Sequence, residues 1–269
     1  MVVISSALSY LILAKSNFSI LEFSLLIAGG LFITFAANAL NQSLEREYDK
    51  LMTRTANRPI AAGRMSLSFG VLIAGVFCTV GVLLFVMLSL PAAVLGMLSF
   101  VIYAFIYTPL KRYSTIAIPV GAIPGALPTL IAGIVATNGF TVEAICIFGL
   151  QYLWQFPHFW SIAWIGHQDY KRAGFKLIND VDGHPDPKYG LYSAVYAGLS
   201  VFLIAMFHSF SPINIVVLIC LVSLVAIYAA YGWKLYKINN AVAAKKLMFA
   251  SFIYLPLLLI LFYFNSILQ

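Results

Sequence analysis

The sequence predicts an all-α membrane protein, with about nine transmembrane helices around a central cavity and acid-rich loops capping one membrane face. Three observations predict it. Of 269 residues, 62% are hydrophobic and 9% charged, with mean hydropathy +0.95, which is not the composition of a water-soluble domain. Nine apolar runs follow one another, and all but the first approach the length of about 20 residues that crosses a hydrocarbon core. Fifteen of the sixteen basic residues fall in alternate loops between those runs.

The first run, 2–14, is short and begins at Met1, which reads as a helix clipped at its N-terminus. It lacks the basic start and small-residue cleavage site of a signal peptide. The second run, 20–43, leads into the most charged stretch of the chain, and the third and fourth are 66–89 and 91–110. The fifth, 116–137, places Pro119, Pro124 and Pro128 with Gly121, Gly125 and Gly133 inside a membrane span. Broken helices survive in a bilayer only where the freed backbone groups face protein or a cavity. A packing kink and the close approach of a bulky ligand both fit this pattern. The sixth run, 141–165, contains WQFPHFW, with His158 near its middle. The loop at 166–190 is rich in Asp, Gly and Pro, and a structured cap with short helical pieces is expected there. The last three runs are 190–210, 212–236 and 247–267, completing one polytopic domain over 1–269. Cys78, Cys146 and Cys220 lie scattered in apolar runs and read as small hydrophobes, not as a disulfide or metal set.

Charge sets the expected orientation. Only Lys15 stands opposite the other basic residues, so the positive-inside rule puts the N-terminus in the cytoplasm and the C-terminus outside. The net charge of +7 is then a topology signal and calls for no nucleic acid. Seven of nine acids fall in two loops on the cytoplasmic face: Glu45, Glu47 and Asp49 in one, Asp169, Asp180, Asp182 and Asp186 in the other. The loops recur about 120 residues apart, each after a helix, as an internal duplication would leave them.

Asn41, Glu45 and Asp49 are spaced i, i+4, i+8, which lines them along one helix face with ~6 Å of rise between neighbours. Arg46, Lys50, Arg54 and Arg58 surround this ladder of oxygen ligands. Hard oxygen ligands beside cations suit a magnesium-bound phosphate group. Asp169 is a candidate for a second metal, and Arg54, Arg58, Lys111 and Lys171 for stabilising a departing pyrophosphate. If the phosphate belongs to an allylic diphosphate, a carbocation follows, and aromatic faces attract cations. Tyr103, Tyr107, Tyr152, Trp154, Phe156, Phe159 and Trp160 are candidates to line such a site, with ordinary core or lipid packing as the alternative for each.

Four blocks carry a resemblance: ANALNQSLEREYDKLMTRTANRP at 37–59, YTPLKR at 107–112, VGAIPGALPTLIAG at 120–133, and WQFPHFWSIAW with DYKRAGF between 154 and 175. Together they resemble the UbiA-type intramembrane prenyltransferases, most closely the branch that farnesylates heme. The resemblance implies transfer of a farnesyl group from farnesyl diphosphate to a vinyl group of heme b, with water adding, to give heme O and pyrophosphate. It implies Mg2+ as cofactor and heme b as substrate. It matches Asn41, Glu45 and Asp49 to the family's metal-diphosphate motif, Tyr107 and Lys111 to its YxxxK pair, and Asp169 to its second acidic motif. Arg46, Lys50, Arg54, Arg58, Arg112, His158 and Lys171 are the candidate substrate-binding residues. His158, inside a span, reads as a heme ligand, a proton carrier or a hydrogen-bonded structural residue. The implied setting is the lipid bilayer of a bacterial inner membrane, with a heme A synthase or terminal oxidase assembly as candidate partner.

Three departures from the family pattern stand out. Glu45 replaces the more usual Asp and reaches one methylene further. Gln168 replaces an acid, leaving Asp169 alone in the second motif unless Asp180 or Asp182 compensates. The basic segment that usually precedes the first helix is missing. Alternative readings are a prenyltransferase acting on a quinone precursor or other lipophilic acceptor, a transporter with discontinuous helices, and a non-catalytic homologue. Acids gathered at one membrane face, not at the midplane, favour an enzyme over a transporter.

Overall fold

The computed structural model describes residues 1–268, and among these the chain is mostly helical, with strands only in one short hairpin. Helix α1 spans Val2–Ala14, α2 Ile20–Leu44 and α3 Arg46–Asp49. Helices α4 (Leu67–Val86) and α5 (Leu90–Val101) follow, and α5 runs through a π-helical segment, Ile102–Tyr107, into α6 (Thr108–Leu110). Helices α7 (Ala117–Thr137) and α8 (Val142–Ile165) form the middle of the bundle. The short α9 (His167–Arg172) leads to strands β1 (Asp180–Val181) and β2 (His184–Pro185), which pair antiparallel. The chain ends with α10 (Lys188–Phe210), α11 (Ile215–Ile238) and α12 (Ala241–Leu268).

Local chemistry sets the boundaries. Ser19, Ser66, Ser89 and Thr141 sit at helix starts, and each side-chain oxygen accepts from a backbone N–H one turn on. Asn138 and Asn239 end α7 and α11 in the left-handed conformation, a position that asparagine tolerates. The Asn240 side chain then accepts from Ala243 N at 2.9 Å and starts α12. The ninth helix therefore begins at Ala241, six residues before the expected 247, and Lys245 and Lys246 lie on its first turns and not in a loop.

Seven helices, counting α5 through α6 as one, are long and apolar enough to cross a membrane, against the nine expected. Helix α1 is short, and α8 carries Gln151, Gln155 and His158 along its middle. The chain is thus an all-α, multi-pass membrane protein. Its outer surface is a belt of large apolar side chains, such as Leu72, Phe202, Ile227 and Ile253, as lipid contact requires. Helix α7 is the hub: 72% of its apolar window is buried, against 22–39% for the other six. Close crossings rely on glycine. A Cβ on Gly190 of α10 would lie 2.2 Å from Tyr236 N of α11, so the two backbones touch there.

Proline at 128 supplies no N–H to the carbonyl of Pro124, and the Ser99 hydroxyl of α5 donates to that carbonyl instead, at 3.1 Å. Gln151 and Gln155 of α8 donate to the Gly125 and Ala122 carbonyls at 3.3 and 2.8 Å. The broken fifth helix of the sequence is therefore one continuous helix whose carbonyls are shared with neighbours. Around it, α1, α2, α5, α7 and α8 enclose a cavity of about 260 Å³. A larger groove of about 710 Å³ between α11 and α12 contains none of the residues singled out by the sequence.

Candidate active site

The acid ladder is bent where it matters. Glu45 interrupts the helix with φ −100° and ψ 7°, yet Glu45 N still donates to Asn41 O and Asp49 N to Glu45 O, at 2.9 and 2.8 Å. Asn41, Glu45 and Asp49 therefore stay on one face, and all three are buried. Such burial leaves a carboxylate costly unless it is paired. Glu45 meets the Lys111 ammonium, and Asp49 accepts from Arg58 Nη1 on both oxygens, at 3.0 and 2.9 Å. Asn41 Nδ2 donates to Thr108 Oγ1 at 3.1 Å, and that hydroxyl donates to Tyr103 O at 2.8 Å. The end of α5–α6 is thus tied directly to the ladder.

Lys111 sits 4.8 Å above the Tyr107 ring, and Tyr107 packs against Gly121 of α7, where a Cβ would lie 2.5 Å from the ring. Burial pushes the Lys111 ammonium below the ordinary lysine value, and the neighbouring Glu45 charge opposes that shift. Burial pushes the Tyr170 phenol up, partly offset by Arg54.

The second acidic loop folds over the first. Thr53 Oγ1 donates to Asp169 Oδ1 at 3.4 Å, and Arg54 donates to Tyr170 Oη at 3.0 Å. Asp169 also pairs with Arg172 at 3.2 Å. Lys171 turns the other way, pairing with Asp180 at 2.7 Å, while His167 meets the same carboxylate at 3.0 Å. Those two partners hold Asp180 down to about 2. Gln168 donates to Gly183 O at 3.3 Å, so it braces the hairpin.

Other expectations are placed elsewhere. Arg46 and Lys50 are exposed and both pair with Glu47, Lys50 from three residues on along the same helix face and Arg46 from the adjacent position. Arg112 donates to Tyr48 Oη and lies over that ring, beside the cluster. His158 is remote from the acids. Its Nδ1 meets Ser251 Oγ of α12 at 2.7 Å, and its ring stacks on Trp154 at 4.9 Å. Among the expected aromatics, Tyr103 and Phe159 line the cavity. Trp154 donates to Ser251 O at 2.7 Å, and Phe156 and Trp160 pack with Tyr196 of α10. Tyr48, Thr53, Thr108 and Tyr170 join the site from outside the expected set. Polar groups this common in loops carry no spacing signal, and only the folded contact picks them out.

The donor set suits Mg2+. Glu45 Oε1 is buried against the Lys111 ammonium, and the ladder offers amide and carboxylate oxygens only. No three His, Cys, Asp or Glu among the described residues come close enough to cage a metal. Magnesium keeps several waters and binds through one or two carboxylates plus substrate phosphates. Below the ladder, Asn38 and Tyr103 open onto the cavity, which continues to Ser6 and Pro128. A charged cluster at one end of the helices thus adjoins a largely apolar chamber.

The sequence pattern of the UbiA prenyltransferase family matches residues 2–254. A protoheme IX farnesyltransferase of Cytophaga hutchinsonii is 38% identical over 99% of this chain and 93% of its own length. One from Christiangramia forsetii is 36% identical over 100% and 90%. A solved structure of digeranylgeranylglyceryl phosphate synthase shares the fold with a TM-score of 0.80 at 18% identity, covering 100% of this chain and 94% of that one. A UbiA homolog from Archaeoglobus fulgidus bound to DMAPP and Mg2+ follows at 0.70 and 13% identity, covering 98% and 94%. Matched along nearly its whole length by pattern, relatives and fold, the chain belongs to the UbiA prenyltransferase family.

Proposed function

We propose that this protein transfers a farnesyl group from farnesyl diphosphate to a vinyl group of heme b, with Mg2+, giving heme O and pyrophosphate. The observation that carries the reading is the junction of a buried, charge-paired oxygen cluster with an apolar chamber, in a chain 38% identical to a protoheme IX farnesyltransferase. A prenyl diphosphate has that same division, an anionic head and an apolar tail.

Asn41, Glu45 and Asp49 would hold the metal, with Asp169 contributing from the facing loop. Bound magnesium supplies charge neutralisation at the diphosphate, which makes it a leaving group. Arg58 and Lys111 hold the two buried carboxylates in place and stand ready beside the anionic head. Arg54 is placed by Tyr170, Arg112 by Tyr48, and Tyr107 by Gly121. Tyr103 and Phe159 present aromatic faces to the chamber, where they favour a cation over water-exposed charge. His158 serves α8–α12 packing in this arrangement and is assigned no contact with the diphosphate.

The same reading includes nine spans in one polytopic domain over 1–269, with α1 and α8 crossing the bilayer despite their shorter or more polar sequences. The acid-rich loops cap the cytoplasmic face of a bacterial inner membrane, with the N-terminus inside and the C-terminus outside. A heme A synthase or terminal oxidase assembly would receive the product.

The test is an assay of the purified protein in lipid with heme b, farnesyl diphosphate and Mg2+, followed by mass spectrometry of the extracted hemes. Heme O that vanishes with EDTA is expected. Turnover only when a quinone precursor replaces heme b would overturn the acceptor.

A further inference from the structure

Gln155 of α8 lies in the wall of the central cavity and is 2% exposed. Its Nε2 donates to Ala122 O at 2.8 Å and to Gln151 O at 3.2 Å. Both partners are carbonyls, so the side-chain amide has one workable orientation, nitrogen toward the backbones and oxygen away. That oxygen is aimed at Gly125, where a Cβ would fall 2.0 Å from Oε1. Gly125 also lines the cavity, and its missing side chain is what lets the oxygen sit against its backbone in the cavity wall. Among the described residues none donates to this oxygen. One turn earlier, Gln151 Oε1 is buried without a donor, while its Nε2 is tied to Gly125 O. An acceptor left unpaired in an enclosed wall is costly. Gln155 Oε1, an acceptor in the cavity wall that no described residue donates to, marks a place to receive an O–H or N–H group from the chamber.

We propose that Gln155 is a positioning residue that holds, through Oε1, the water molecule that adds during transfer. This rests on the heme-farnesylation reading. In that reaction the C1–O bond of farnesyl diphosphate breaks, and its electron pair leaves on pyrophosphate. The vinyl π pair forms the new carbon–carbon bond to C1, leaving a cation on the carbon attached to the porphyrin ring. A lone pair of the water oxygen forms the C–O bond, and the surplus proton passes to the released pyrophosphate. A carboxamide oxygen that accepts one hydrogen of the water turns a lone pair toward the cation, while the neutral amide stays out of the bond making. The competing fate is loss of a proton from the neighbouring carbon. It yields an alkene lighter than the hydroxylated product by one water.

The experiment measures the ratio of hydroxylated to alkene heme by mass spectrometry for wild type, Gln155→Leu and Gly125→Ala, each purified in lipid with heme b, farnesyl diphosphate and Mg2+. Loss of one hydrogen bond of about 1–1.5 kcal/mol predicts a fall in that ratio of about tenfold in Gln155→Leu. Gly125→Ala keeps Gln155 but puts a methyl where its oxygen lies, and should shift the ratio the same way. It decides the matter if Gln155→Leu does not fold, since a folding defect lowers both products and leaves their ratio alone. An unchanged ratio in both variants, with wild type making hydroxylated heme, overturns the proposal and leaves the transfer reading standing. Absence of any farnesylated heme from wild type overturns the transfer reading itself.

Discussion

Arg58→Ala isolates what the ion pair at the ladder contributes. The Asp49 side chain is 1% exposed, and one guanidinium nitrogen reaches both of its oxygens. Removing one partner of a buried pair typically costs ~3–5 kcal/mol, because a charge is left in low dielectric. Two features reduce that here. Arg58 itself is 33% exposed, so solvent screens part of the interaction. The Lys111 charge also acts on Asp49. A loss of about 2–3 kcal/mol is therefore expected for Arg58→Ala. The double variant Arg58→Ala with Asp49→Asn should be less destabilised than Arg58→Ala alone, since the buried charge is gone. The assay is equilibrium unfolding in mixed micelles with increasing SDS, followed by tryptophan fluorescence for wild type, both single variants and the double. Arg58→Ala within about 0.5 kcal/mol of wild type, the range of an ordinary surface change, would refute the reasoning. So would a double variant that loses the sum of the two singles.

Two further outcomes follow from the packing. Gly190→Ala should cost ~1–3 kcal/mol in the same unfolding assay, because its Cβ meets the Tyr236 backbone and not a movable side chain. Gly198→Ala, with nothing within 4 Å, should be neutral or slightly stabilising, and equal losses at the two sites would contradict the crossing. Asp180→Asn removes the group that both His167 and Lys171 hold, so limited proteolysis should cut between 173 and 187 faster than in wild type at neutral pH. The sign is set by the depressed value of about 2: the stabilisation is present above the ordinary carboxylate range and is lost only as pH falls through about 2. Cleavage rates that match wild type at neutral pH would remove Asp180 from the closure of the cap.

Much of the site is legible from spacing because α-helical geometry is local. Asn41, Glu45 and Asp49 share a face by arithmetic, and the fold keeps them there across the bend at Glu45. Cations one to nine residues away from a carboxylate are a weaker signal. Arg58 turns back to Asp49, while Arg46 and Lys50 turn outward to Glu47, and nothing in their type or spacing separates them. Lys171 and Asp169 are two residues apart and face different partners. His158 shows the limit most clearly. A histidine inside a span invites a functional reading, yet its partner, Ser251, is 93 residues away.

The sequence alone determined the membrane setting, the order of the helices, the positions of most of their ends and the acid ladder. Hydropathy, capping and the 3.6-residue repeat all act within a few neighbouring residues. Tertiary structure alone decided which cation neutralises which acid, that Thr108 and Tyr170 belong to the site, and that α7 stays whole. It also decided that Gln155 stands in the chamber wall with its oxygen against Gly125. Those outcomes depend on which donors and acceptors meet across helices far apart in the chain, where burial makes every unpaired polar group costly and so selects one pairing among many.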